Sequence, residues 1–137
     1  CNSKCAPSRA AIITGRNSPQ LHAASSLILK AAKHLAGTPP DRDILPPEVI
    51  GSISHLKKDV LERKRVSLDA EETLIALGIS AAGNGEAKSA LKQLRSFRGC
   101  EVHMTHMPSP GDEAGLRKLG VNLTTAPHWA SRRLFAS

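Results

Sequence analysis

Residues Cys100-Glu101-Val102-His103-Met104-Thr105-His106 carry a thiol, a carboxylate, two imidazoles and a hydroxyl within one short run. Read as a strand, the run alternates: Glu101, His103 and Thr105 share one face, and Cys100, Val102, Met104 and His106 share the other. A carboxylate beside an imidazole holds the ring in one tautomer and favours its charged form, which suits general base work or substrate binding. Glu101, His103 and Thr105 are therefore the candidate catalytic residues. The plainer alternative is a polar strand face covered by solvent or by a helix. Alternation also argues against a metal site, because it sends His103 away from Cys100 and His106, and zinc needs four convergent ligands. No metal is expected, and the residues name no cofactor.

A second constellation is Thr14-Gly15-Arg16-Asn17-Ser18-Pro19, which reads as the end of a strand, a glycine turn and a helix start. A helix N-terminus offers free N–H groups and partial positive charge, so Thr14, Gly15, Arg16, Asn17 and Ser18 form a candidate anion-binding turn for phosphate or carboxylate. One glycine is not a phosphate loop, and an ordinary capped turn is the alternative. Nucleophilic catalysis finds little support. There is no Gly-x-Ser-x-Gly elbow and no His-Glu-x-x-His helix, and Cys100 reads as a small buried residue. The basic run Lys57, Lys58, Arg63, Lys64 and Arg65 reads as a solvated helix end.

These residues need elements to position them. Residues 10–14 are a short apolar run stopped by Gly15 and read as a buried strand. Ser18 and Pro19 have the types of an N-cap and a first helical residue. From there Leu21, Ala24, Leu27, Ile28, Ala31 and Leu35 keep one apolar stripe until Gly37. Pro46-Pro47 leads into a second helix through Val49, Ile50, Ile53, Leu56, Val60 and Leu61, with Lys57, Lys58, Glu62 and Arg63 on its outer face. Asp69 followed by Glu72 is a capping-box pattern opening a third helix, apolar nearly all round and so a candidate central helix. Gly83-Asn84-Gly85 breaks it. A fourth helix then turns Ala87, Ala90, Leu91, Leu94 and Phe97 inward and Lys88, Lys92 and Arg95 outward. The last third reads as a strand over 100–107, a short helix over 112–119 and a strand over 121–125. That order is a βαβ unit, with parallel strands and a right-handed crossover. The expected fold is α/β (or α+β): a small, mostly parallel sheet packed by four to five helices. Residues 1–9 are expected to be a loosely ordered leader to a single domain over 10–137.

Composition narrows the function classes. The chain has 137 residues, 40% hydrophobic and 23% charged, which is globular rather than disordered. Aromatics are 2% (Phe97, Trp129 and Phe135), so the core must come from Leu, Ile, Val and Ala, and base-stacking platforms are disfavoured. No stretch approaches the roughly 18 apolar residues of a membrane span. The odd set Cys1, Cys5 and Cys100 has no disulfide-framework spacing, which fits a reduced, cytoplasmic setting. A start at Cys1 without Met fits a piece of a longer protein. With 19 basic and 12 acidic side chains the net charge is +7, which supports salt-sensitive contact with phosphorylated ligands or nucleic acid.

Four segments taken together resemble one family: Ile13-Thr14-Gly15-Arg16-Asn17-Ser18, Leu74-Ile75-Ala76-Leu77, Gly99-Cys100-Glu101-Val102-His103, and Leu116-Arg117-Lys118-Leu119-Gly120-Val121-Asn122-Leu123-Thr124. In order and spacing they are similar to the C-terminal domain of the bacterial family catalogued as domain of unknown function 1846, from about Ala10 to the C-terminus. Members of that family sometimes carry the label ATP-dependent peptidase. The resemblance implies that a glycine-rich, phosphate-loop-like segment lies earlier in the full protein. It also implies that the matching polar positions are Thr14, Gly15, Ser18, Glu101, His103, Thr105 and Asn122. Arg16-Asn17 departs from the family's Lys-Thr, keeping the charge and losing a hydroxyl.

The leading expectation is an accessory C-terminal domain of a bacterial cytoplasmic, nucleotide-dependent enzyme. It would contribute to a shared ligand site without complete catalytic machinery of its own. Its partners would be the missing N-terminal domain and a phosphorylated small molecule, with no membrane. The alternative is a structural or homo-oligomerisation domain using Leu74, Leu77 and Ala81 as a partner face. A nucleic-acid-binding module is the weakest of the three.

Overall fold

The computed structural model describes residues 12–125. The expected leader over 1–9, Ala10 and Ala11 of the expected first strand, and Trp129 and Phe135 lie outside the described residues. Among the described residues, five α-helices and a two-stranded parallel sheet make a mixed α/β fold.

Helix α1 (Ala23–Ala36) buries its stripe of Ala24, Leu27, Ile28 and Ala31. It ends at Gly37, whose left-handed φ of 75° turns the chain away while its N–H reaches the Lys33 and His34 carbonyls. The helix begins four residues after the expected first helical residue, Pro19, with His22 rather than Ser18 at the N-cap position. The Ser18 hydroxyl instead accepts from Leu21 N–H at 3.0 Å and closes a local turn. The next residues bond sideways: Leu68 N–H donates to Gln20 O, and His22 N–H to Leu68 O, both at 2.9 Å. Backbone groups committed to Leu68 cannot serve the first helical turn. The expected strand over residues 10–14 is likewise absent from its described part, residues 12–14. Ile12 is 71% exposed, and the segment is carried by Gly15, which rests on the backbone of α1. A Cβ there would lie 2.4 Å from Ala23 O, so the glycine serves a close approach.

Helix α2 (Pro47–His55) starts with proline in its first turn, as expected, and packs Val49, Ile50 and Ile53 half-buried on the core. It then widens into a π-helical turn (Leu56–Val60), closed by Leu61 N–H donating to Leu56 O. The wider turn shifts every later side chain relative to a continuous α-helix. Lys57, four residues after Ile53 and seven after Ile50, continues the inward stripe of α2 and is 5% exposed, rather than lying on the solvated face expected for it.

Helix α3 (Ala70–Ser80) has the expected capping box: Glu72 N–H donates to Asp69 Oδ1, and Asp69 N–H donates to Glu72 Oε1, both at 2.9 Å. It packs through Ala70, Thr73, Ala76 and Leu77, while Ile75 and Ile79 face outward. The helix is therefore one-sided rather than central. Leu77, expected on a partner face with Leu74 and Ala81, is fully buried. Helix α4 (Gly85–Gln93) is capped by Asn84, whose Oδ1 accepts from Glu86 and Ala87 N–H, and a 3-10 turn (Leu94–Phe97) seats Phe97 in the core.

Strand β1 (Glu101–Met104) alternates as expected, with Val102 and Met104 buried, and ends three residues before the expected Met107. Helix α5 (Pro110–Lys118) starts two residues early because Ser109 is its cap, accepting from Asp112 N–H at 3.2 Å. Strand β2 (Asn122–Thr125) pairs parallel to β1, Glu101 opposite Asn122 and Met104 opposite Thr125, completing the βαβ unit. Leu27, Ile28, Ile44, Leu68, Leu77, Met104 and Leu116 fill the core, an aliphatic one as the composition required.

Candidate functional site

Parallel strands bring their carboxyl ends to one end of a sheet, and there the loop after β1 turns into α5. Asp112, in the first turn of α5, is only 3% exposed. Its Oδ1 accepts from the Ala70 backbone N–H at the start of α3, and its Oδ2 lies 2.9 Å from His22 Nδ1 at the start of α1. An ionised carboxylate can only accept, so Nδ1 carries the proton and donates. One carboxylate thus ties together the N-terminal ends of three helices, where the partial positive charge of each favours an anion. Close packing makes this possible. Gly111 and Gly115 of α5 face Asp69 and Ala70 of α3, and a Cβ on Gly111 would lie 2.0 Å from Asp69 Oδ2.

A cleft of about 450 Å³ opens beside this pair, lined by His22, Asp112, Asn17, Ser18, Arg65, Ser67, His106 and Ser109 together with Met107 and Pro108. Arg65 is exposed and makes no ion pair among the described residues. His22 Nε2 likewise has no hydrogen bond among the described residues. A second cavity, about 560 Å³, touches Thr14, Lys30, Lys33 and His34. Its lysines are already engaged: Lys30 Nζ donates to Thr14 O, and Lys33 Nζ to Pro40 O and Arg42 O.

Behind the cleft, Lys57 Nζ donates to Glu72 Oε1 and to Ser67 O, both at 2.7 Å, holding the chain next to Arg65 against the capping box. Burial raises the pKa of Asp69, and the neighbouring carboxylates of Glu72 and Asp112 raise it further; the Glu72 N–H and the Lys57 ammonium pull the other way. A carboxyl whose folded pKa exceeds the unfolded value binds its proton more tightly when folded. Its contribution to stability is complete below the ordinary aspartate value of 3.8 and is lost as pH rises through the folded pKa. Asn keeps the capping oxygen without the charge, and the two residues cap equally well. Asp69→Asn is therefore expected to be at least as stable as the wild type at pH 7, within about 1 kcal/mol. That advantage should shrink on acidification toward pH 4; urea unfolding at several pH values reads the trend.

A family profile described as "Domain of unknown function DUF1846, C-terminal" matches residues 8–135. The chain belongs to this family. Similar relatives include the UPF0371 protein CE2832 of Corynebacterium efficiens, 40% identical over 124 residues. The UPF0371 protein DIP2346 of Corynebacterium diphtheriae is 42% identical over the same length, and a UPF0371 protein of Clostridium botulinum (strain Alaska E43) 38%. Each match covers 90% of this chain and 25% of the relative, so the chain spans about a quarter of the length of these proteins. No described helix is long and apolar enough to cross a membrane.

Within this DUF1846 C-terminal domain the candidate residues fall in different places. Glu101, His103 and Thr105 are on the outward face of the sheet or just beyond it, away from the cleft lining. His103 Nδ1 is 2.9 Å from Thr124 Oγ1 across the strand pair. Glu101 sits opposite Asn122. Of the anion-binding turn, Asn17 and Ser18 reach the cleft wall. Asn17 Oδ1 accepts from Ala23 N–H at 2.8 Å, capping α1, and Ser18 Oγ serves its own turn. Thr14 and Gly15 brace the segment against α1, and Arg16 is exposed. Among the described residues no three His, Cys, Asp or Glu side chains gather to hold a metal.

Sequence reading passed over His22, Arg65, His106 and Asp112 as a cluster. The signal that could have found two of them was present. In an α/β unit, ligands bind beyond the carboxyl ends of parallel strands, which directs attention to residues 105–112.

Proposed function

We propose that this domain contributes one wall of a site for an anionic ligand, a nucleotide or another phosphorylated small molecule, and that the rest of the site lies elsewhere in a longer protein. The observation that carries the reading is the cleft at the strand ends. There Arg65, without a carboxylate partner among the described residues, faces the same space as His22, His106, Ser67 and Ser109. The domain would position and neutralise the ligand rather than carry a whole reaction by itself. Relatives about four times as long leave room for the remaining groups.

Calorimetry on the full-length protein tests this, with ATP and inorganic phosphate as probes at two salt concentrations. Losing a charge-assisted contact costs about 10- to 100-fold in affinity. Arg65→Glu is expected to weaken binding by that much, and the wild-type affinity should survive the higher salt. An unchanged affinity in the variant, or no binding by the wild type, overturns the reading.

A further inference from the structure

Asp112 does more than cap α3. Its two oxygens have separate tasks, one taking the Ala70 N–H and the other facing His22 Nδ1, so the carboxylate cannot rotate away from either. The imidazole is thereby fixed in the tautomer with a proton on Nδ1 and, while neutral, a lone pair on Nε2. The His22 side chain is 22% exposed against 4% for its partner, and the cleft is the space it lines. We propose that His22 is the catalytic base of this cleft and Asp112 its positioning residue, acting in hydrolysis of a phosphate ester or anhydride.

The inference rests on the reading of the cleft as an anion site. Nε2 takes a proton from water held in the cleft. The water oxygen forms a bond to phosphorus as the bond from phosphorus to the leaving oxygen breaks, with its electron pair departing on that oxygen. The proton passes from the imidazolium to the leaving oxygen or to solvent. Asp112 stays ionised throughout and steadies the imidazolium through Nδ1–H. Arg65 offsets charge on the phosphoryl oxygens. The other titratable groups near the ring are His106 across the cleft and Asp69, whose carboxyl lies close enough to feel Asp112.

Two substitutions separate chemistry from architecture. In His22→Asn the amide nitrogen can stand where Nδ1 stood and keep the bond to Asp112, while the base is gone. In Asp112→Asn the amide oxygen can keep the Ala70 N–H, and the amide nitrogen then donates to His22 Nδ1, forcing the proton onto Nε2. Both are assayed in the full-length protein for phosphate release from ATP and from 4-nitrophenyl phosphate, over pH 5 to 9.

Each is expected to lower kcat by about 10²- to 10⁴-fold with KM within about threefold, the size usual for general base catalysis. The acid limb of the wild-type kcat/KM profile should vanish in His22→Asn. A kcat unchanged in His22→Asn, or a wild type that binds inorganic phosphate but releases none from either probe, overturns the base assignment and leaves the anion site standing. Absence of phosphate binding removes the anion site instead, and the base proposal with it. Should either variant fail to fold, ring nitrogen NMR of wild-type His22 decides: a proton on Nε2 at neutral pH overturns the proposal, and a bare Nε2 that shifts on adding phosphate supports it.

Discussion

Asp112→Ala is expected to destabilise the fold by about 3 kcal/mol, among the largest single-site effects in this chain. The side chain is buried, and both oxygens are used. Removing it strands the Ala70 N–H at the buried start of α3, and leaving a buried donor unmade costs about 1–3 kcal/mol by itself. It also strips His22 Nδ1 of its acceptor, so the links from α5 to the N-terminal ends of α1 and α3 go together. Asp112→Asn should cost much less, because an amide can still accept from Ala70 and donate to the imidazole. Urea unfolding measures both, as a lower midpoint at unchanged slope. A loss under about 1 kcal/mol in Asp112→Ala would mean that water or a shifted side chain takes the carboxylate's place.

Gly111→Ala is expected to cost about 2–3 kcal/mol, against the direction that helix propensity alone gives. Ala is worth up to about 1 kcal/mol more than Gly inside a helix. Here the added methyl would fall 2.0 Å from Asp69 Oδ2 and 2.4 Å from Asp69 Cγ. Asp69 has a short side chain already engaged in the capping box, so it cannot yield without releasing Glu72 N–H. Overpacking and a lost cap act together. Gly78 in α3 supplies the contrast: nothing lies within 4 Å of a Cβ there. Gly78→Ala should follow propensity and stabilise by about 0.5–1 kcal/mol. Thermal or urea unfolding of the pair reads opposite signs, and equal signs would mean that α3 and α5 can slide apart at little cost.

These two sites also mark the boundary of what a sequence discloses. Features built from residues within four positions of each other are legible in the sequence: the Asp69–Glu72 capping box, Gly37 ending α1, Pro47 opening α2, Asn84 between α3 and α4, and the alternation of Val102 and Met104. Local backbone chemistry decides such features, and side-chain type reports it. The βαβ order was legible for the same reason, since a short helix between two strands compels a crossover.

The candidate cleft was not legible. Its central pair, His22 and Asp112, is ninety residues apart, and Asp112 reaches Ala70 across forty-two. Helix packing brings those residues together, through Gly111 and Gly115 admitting α3 at close range. Residues 18–22 have the types of a first helical turn, but Leu68 claims their backbone groups; Lys57 has the type of a solvated residue, but it shares the inward face of Ile50 and Ile53 and meets Glu72 there. An apolar run such as Ile12-Ile13 becomes a strand only if a neighbouring strand accepts its hydrogen bonds, a condition set outside the run. The sequence by itself determined the class of fold, most helix ends and the family. The tertiary structure alone decided which polar side chains meet, because their meeting depends on how three helices converge rather than on any spacing along the chain.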